Sequence, residues 1–283
     1  MFKKNRFAKF FDNPIAIFPF LLKKIYYNHI ADFNLKKCKD FHYLSSKDTL
    51  SYIIDNNKSL IRFGDGSFDI IFGFSIYFNG WRQKYDKHLA RKLKEIMQSK
   101  NDDVLLCFVT DFILQPKKCF IEKGEPQAYY SWVFSKILLP TLYRNDVTYG
   151  NSLCFYPKYN PTIDYGKLKK YFDTKDIIIV ASNTEKFKDV KLGRNTIFLE
   201  APSSDAWQKY DKIKKDLLET ISNLHLKKEN TLVLISLAET AKVLVYELTL
   251  LGYVAWDTGQ FFDQASKEIK ALSSTTDAQE QDN

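Results

Sequence analysis

Thr231-Leu-Val-Leu-Ile-Ser236, then Ala238 through Leu250, then Gly252-Tyr253-Val-Ala-Trp256, decides the fold. The first run is short and continuously apolar, the signature of a strand buried on both faces. The second has helical length, Gly252 is its stop signal, and Tyr253-Val-Ala-Trp256 reads as the next strand. Buried strand, helix, buried strand calls for a parallel pair joined by a right-handed crossover. Upstream, Asp176-Ile-Ile-Ile-Val-Ala181 repeats the strand signature and Thr196-Ile-Phe-Leu-Glu200 gives a shorter one. Ala201-Pro-Ser-Ser204 then opens a helix to about Leu224, with Ser203 or Ser204 as cap and Asp205 in its first turn. The reading is α/β: a Rossmann-like, mostly parallel sheet with helices on both faces.

The first half is less regular. Leu50, Ile53 and Ile54 space a helix over Lys47 to Asn57, capped by Ser45 or Ser46 and leading into a strand at Leu60-Ile61. Ile70 to Tyr77 is β-prone and reads as a strand or a covering loop. Leu89, Leu93, Ile96 and Met97 mark an amphipathic helix from Tyr85. Val104 to Thr110 is a buried strand, and Tyr129 to Leu139 a helix that stops at Pro140. The expected organisation is a basic aromatic arm over 1–44, one domain over 45–264 with a lobe boundary near 145–175, and a polar, disordered tail over 265–283.

The formal charge of +8 on 283 residues is unevenly placed, since the first forty residues hold nine Lys and Arg against three Asp. Such an arm suits an anionic surface. Phe7, Phe10, Phe11, Ile15, Ile17, Phe18, Phe20, Leu21 and Leu22 turn the choice from nucleic acid to membrane, with a helix packed on its own domain as the other reading. No nucleic-acid partner is expected, because no stacking motif or recognition helix accompanies the charge. Pro14 to Leu22 is too short to span a bilayer, contains Pro14 and Pro19, and lacks a small-residue cleavage site. The expected location is the cytoplasm, with peripheral contact to the inner membrane face through residues 1–40. Cys38, Cys107, Cys119 and Cys154 are scattered, indicating neither zinc knuckle nor disulfide framework. None of the four histidines has metal-ligand spacing with another.

The chemistry concentrates in Ser59-Leu-Ile-Arg62-Phe-Gly64-Asp65-Gly66-Ser67-Phe-Asp69. An apolar strand ends in a Gly-Asp-Gly turn, whose glycines are free to take positive φ and approach a ligand. Asp65 there either meets a metal or phosphate beyond the strand's carboxyl end, or bonds its own backbone in a surface turn. Arg62 supports Asp65, meets phosphate, or forms a structural ion pair. Asp257 closes the last strand as a base, a ribose contact or a turn cap. Ser204 and Asp205 open a helix where N–H groups can hold phosphate, and Thr240 faces the same ligand or caps the last helix. Trp207 and Tyr210 share a helical face, as core or as a stacking platform.

Three segments together resemble one family: Arg62-Phe-Gly-Asp-Gly-Ser-Phe68, Glu200-Ala-Pro-Ser-Ser-Asp-Ala-Trp207 with Tyr210 and Asp211, and Leu232 through Asp257-Thr-Gly-Gln260. In order and approximate spacing they are similar to bacterial GT-D-fold glycosyltransferases, long catalogued as a domain of unknown function, over about residues 45 to 264. The resemblance implies a divalent-metal-dependent transferase taking sugar from a nucleotide-diphosphate sugar, a UDP-sugar first, to a surface-polysaccharide, glycoprotein or lipid-linked glycan. The family's Asp-x-Glu motif falls on Asp65-Gly66-Ser67, so Asp65, with Asp69 nearby, is expected to hold Mn²⁺ or Mg²⁺. Arg62, Gly64, Gly66, Ser67, Ser204, Asp205, Thr240 and Gln260 are expected at the donor, with Asp65 and Asp257 as the catalytic carboxylates. The chain departs from relatives at Ser67, at Ala238-Glu239-Thr240-Ala241 where they read Gly-Pro-Thr-Ala, and at Gln260 where they read His. Those departures support a second expectation, a catalytically weak relative that binds a nucleotide sugar or a partner enzyme.

Overall fold

The computed structural model of the chain describes residues 12–38, 41–78, 81–182, 190–264 and 267–269. In chain order its strands are β1 Ser59–Phe63, β2 Ile76–Phe78, β3 Trp81–Gln83, β4 Val104–Phe108, β5 Gly150–Asn151, β6 Asp176–Ala181, β7 Asn195–Glu200, β8 Thr231–Ser236 and β9 Val254–Asp257. Seven of them make one sheet in the order β5-β4-β1-β9-β8-β6-β7, while β2 and β3 form a separate antiparallel hairpin. The pairings of β1 with β9, β9 with β8, β8 with β6 and β6 with β7 are parallel, as the buried-strand runs require. Ile177, Ile178, Ile179 and Val180 are wholly buried, each stabilising the sheet by roughly 1.5–3 kcal/mol relative to exposure.

The chain divides into two compact units, one of residues up to Tyr43, Phe63–Lys100 and Phe108–Tyr149, the other of Leu44–Arg62, Asn101–Cys107 and Gly150 onward. In the second unit the Ser46–Asp55 helix starts at Ser45, whose hydroxyl accepts from the Asp48 N–H at 3.1 Å. The Ala238–Leu250 helix runs over the predicted residues and packs on β8 and β9. Residues 201–224 differ from expectation. A 3₁₀ turn at Ala206–Lys209 precedes the Tyr210–Asn223 helix, and the residue before that turn is Asp205, in the left-handed region at φ +51°. Ser204 is therefore not the cap. Tyr210 anchors this helix through its hydroxyl to Glu247 Oε2 at 2.6 Å, beside a Lys214–Glu247 ion pair at 2.7 Å.

In the first unit, Asp86 caps the Lys87–Met97 helix by accepting from the Leu89 N–H at 2.9 Å, and Leu89, Leu93, Ile96 and Met97 are all buried. The Gly-Asp-Gly segment is not a turn. Gly64, at φ −103° and ψ −173°, is extended, and Asp65 begins a helix that continues to Ile71. Apolar Phe68 and Ile70 lie inside this helix rather than on a strand, so β structure starts only at Ile76. The predicted stop at Pro140 also fails: the Val133–Leu142 helix runs through it. Proline removes the N–H that the Lys136 carbonyl needs. Asn34 Nδ2 replaces it, donating to Lys136 O at 3.2 Å and to Ile137 O at 2.9 Å. From the arm, the Asn28–Leu35 helix packs on Val133–Leu142, while Phe7, Phe10 and Phe11 and most of the 265–283 tail lie outside the described residues. No helix among the described residues is long and apolar enough to cross a membrane.

Candidate functional site

Between β1 and β9 the strands of residues 59–151 meet those of residues 176–257. Open parallel sheets place ligands beyond the carboxyl ends at such a reversal of order. Arg62 near the end of β1 and Asp257 at the end of β9 come together there, the Arg62 N–H pointing to Asp257 Oδ2 at 3.4 Å. Lys242, one turn into the Ala238–Leu250 helix, lies 3.3 Å from Asp257 Oδ2 and 3.4 Å from Glu239 Oε2. All four groups are buried, so two cations and two carboxylates balance within one desolvated cluster. Burial opposes the charge on Lys242, but Asp257 and Glu239 outweigh it and hold the ammonium pKa above the ordinary lysine value.

Arg62 is held from two sides. Its Nε donates to Ser152 O at 2.6 Å, its Nη2 to Tyr156 OH at 2.5 Å, and the guanidinium stacks 4.5 Å from the Tyr156 ring centroid. Burial works against its charge, yet Tyr156 and Asp257 lift its pKa above the ordinary arginine value, so it stays protonated. Nη1 is buried with no hydrogen-bond partner among the described residues. A buried donor left unmade costs about 1–3 kcal/mol, a debt that an anionic ligand's oxygen removes. Gly259, at φ +53°, makes room for this group, since a Cβ there collides with Arg62 Nη1 and Tyr156 OH. Burial also pushes the adjacent Cys154 thiol up to about 12, leaving it neutral beside the guanidinium.

Asp257 is a turn cap as well as a counter-ion: its Oδ1 accepts from the Gly259 N–H at 3.2 Å. Arg62, Lys242 and Gly259 all donate to this carboxylate. Gln260 is exposed, and its N–H approaches Tyr156 OH at 3.3 Å. Thr240 is fully buried on the Lys242 helix. Asp205 is buried and Ser204 half-buried at the 3₁₀ turn that packs on that helix.

Asp65, Gly66, Ser67 and Asp69 belong to the first unit, on the Asp65–Ile71 helix. Asp65 is exposed, its Oδ1 accepting from the Gly66 N–H at 3.0 Å. Asp69 follows one turn later on the same face. Ser67, the position of the motif glutamate, stands about 200° around the helix from Asp65 and is fully buried. The expected positive φ at Gly64 and Gly66 is corrected, since neither takes it, and a Cβ on Gly64 meets nothing within 4 Å. Among the described residues no group of three or more His, Cys, Asp and Glu is arranged to hold a metal ion. Asp65 and Asp69 fit a cation in the weaker sense that Mg²⁺ uses, one or two carboxylates completed by substrate phosphates and water.

The sequence reading missed Lys242 and Tyr156. Lys242 carried a signal, a lone cation three residues after Glu239 inside the apolar run Ala241-Lys-Val-Leu-Val245, where an unpaired charge is not tolerated. Tyr156 carried none.

The family described as Glycosyltransferase GT-D fold matches residues 60–266. A probable glycosyl transferase, Gly, of Streptococcus gordonii is 29% identical over 231 residues, covering 76% of this chain and 31% of the relative. Glycosyltransferase GlyD of Streptococcus pneumoniae serotype 4 is 26% identical over 224 residues, 75% of this chain and 26% of the relative. The chain thus spans about a third or less of the curated relatives it matches. A solved structure of domain of unknown function 1792, reported to have a distinct glycosyltransferase fold, superposes with TM-score 0.66 at 27% identity over 85% of this chain and 86% of that one. A further structure, a glycosyltransferase of the same domain from Streptococcus sanguinis, gives 0.58 at 27% identity over 78% and 82%.

Proposed function

The chain belongs to the glycosyltransferase GT-D fold family, and we propose that it moves a sugar from a nucleotide-diphosphate sugar, a UDP-sugar first, to a surface-polysaccharide, glycoprotein or lipid-linked glycan. One observation carries the reading: the buried Arg62 guanidinium keeps an unpaired Nη1 at the carboxyl ends of β1 and β9, with Lys242 held in the same cluster. Departure of a nucleoside diphosphate builds negative charge on its terminal phosphate, and fixed cations in a desolvated site stabilise that charge without reorganising. Arg62 is assigned to the phosphate oxygens. Asp257 positions Lys242 and the Gly259 turn. Ser204, Asp205, Thr240 and Gln260, together with the Gly64 and Gly66 backbone, are assigned to donor contact.

Asp65 and Asp69 are the carboxylates we assign to a divalent cation. Mn²⁺ or Mg²⁺ there supplies Lewis-acid neutralisation of the leaving diphosphate when bound. A cytoplasmic location is proposed alongside it and does not bear on the transfer.

A second reading has its own observation. Glu239, buried in the first turn of its helix where a phosphate is otherwise welcome, occupies part of the Lys242 charge. That favours a nucleotide-sugar or partner-binding protein with weak turnover. Thermal shift across a panel of nucleotide sugars, with and without Mn²⁺, followed by donor turnover for wild type and Asp65→Ala, separates the two. Transfer predicts one stabilising donor and cation-stimulated turnover lost in Asp65→Ala. Stabilisation without such turnover selects the binding protein, and a panel in which nothing stabilises the chain defeats both.

A further inference from the structure

The helical stretch from Pro14 to Cys38 turns most of its larger apolar side chains outward. Its inner side buries Ala16, Ala31 and Cys38, sets Tyr27 against Phe72 and Phe134, and bonds the Val133–Leu142 helix through Asn34. Its outer side carries Ile15, Phe18, Leu22 and Ile25 at steps of three and four, exposed at 72, 67, 44 and 71%, with Leu21 and Tyr26 beside them. Half of the exposed large hydrophobic side chains among the described residues fall between Ile15 and Phe33. A patch so concentrated marks an interaction surface rather than ordinary scatter.

Its charge says what it meets. Lys24, Lys36 and Lys37 are exposed on this stretch, and four more cations, Lys3, Lys4, Arg6 and Lys9, precede it in sequence. The one acid between Asn13 and Cys38 is Asp32, whose carboxylate is engaged inward, accepting from the Lys117 N–H at 2.8 Å and Tyr129 OH at 3.0 Å. The outer face is therefore apolar and cationic with no carboxylate of its own. A second copy would set lysines against lysines, whereas anionic headgroups complement them while acyl chains take the aromatic and aliphatic groups.

We propose that this face docks on an anionic bilayer, the helix lying in the interface with Phe18, Leu21, Leu22 and Ile25 at the acyl boundary and Lys24, Lys36 and Lys37 at the headgroups. The observations are independent of the transferase reading, and the test uses no donor, so failure of either leaves the other standing. The full chain is sedimented with vesicles of phosphatidylcholine alone and with added phosphatidylglycerol, at low and high salt. Binding is expected only to the anionic vesicles and to weaken with salt. Phe18→Glu combined with Leu22→Glu should abolish it with an unchanged melting curve, since both side chains are exposed. Lys24→Glu should weaken it by about fivefold or more. Leu250→Glu, exposed on the other unit, should bind as wild type. No binding at any composition overturns the proposal, as does equal binding by the double variant. A dimer that the double variant dissociates, in a chain indifferent to vesicles, assigns the face to a second copy and overturns it too.

Discussion

Ala238 sits at φ +47°, a region that costs an L-residue with a Cβ roughly 1–2 kcal/mol. The turn from β8 into the Ala238–Leu250 helix holds that conformation. Ala238→Gly relieves the strain but loosens the unfolded chain by about 0.4–1 kcal/mol. The net expectation is a gain of about 0.5–1 kcal/mol, seen as a higher denaturant midpoint at unchanged m-value. Gly259 poses the opposite case. Gly259→Ala adds a Cβ in a left-handed position directly against Arg62 Nη1 and Tyr156 OH. It should cost about 1–3 kcal/mol and weaken donor binding, whereas the same change at Gly64, which meets nothing, should leave stability within about 0.5 kcal/mol.

At the scale of elements, what was legible followed local pattern. β6, β8 and the Ala238–Leu250 helix occupy the residues predicted, because each is long enough and apolar enough for its own period to decide it. Two segments were misjudged where tertiary structure overrides local preference. Asp65–Ile71 is helical although Phe, Ile and Ile favour strands, and Pro140 is accommodated because Asn34, more than a hundred residues away, feeds the orphaned carbonyls. Asn34→Leu should therefore cost about 1–3 kcal/mol and fray the helix at Pro140, read by amide exchange in that turn. The same helix carries Lys136, its ammonium wholly buried and bonded to the carbonyls of Ile113 at 2.8 Å and of Gln115. Burial pulls its pKa down to about 8, the Asp32 carboxylate opposing the drop. Between pH 8 and the unfolded lysine value near 10.5 the unfolded chain holds the extra proton, so this group's contribution to stability rises with pH across that window. Wild type should gain on Lys136→Met from pH 8 to 10, by urea denaturation at matched salt. A flat difference would mean Lys136 titrates at its ordinary value.

For the molecule as a whole, the sheet's order explains why the site was half visible. Each strand announces itself, but that β9, last in the chain, lies beside β1, first in the chain, is a non-local pairing that no local pattern encodes. Arg62 and Asp257 were legible singly, each at a strand's end, while their meeting, with Lys242 beside Asp257, was not. This arrangement separates residues that hold the fold from residues proposed to act on the donor. Lys242→Met leaves Asp257 and Glu239 buried without their cation and should destabilise the chain by roughly 3–5 kcal/mol. Adding Glu239→Gln removes one of the stranded charges and should restore part of that loss. Asp65 is exposed, so Asp65→Ala should stay within about 0.5 kcal/mol of wild type while losing cation-stimulated turnover by a factor of about 10² or more. Chemical denaturation and donor turnover on the same preparations read both quantities. A Lys242→Met chain as stable as wild type would show that its pairing with the two carboxylates contributes nothing, and the assignment of Asp257 to positioning Lys242 would go with it.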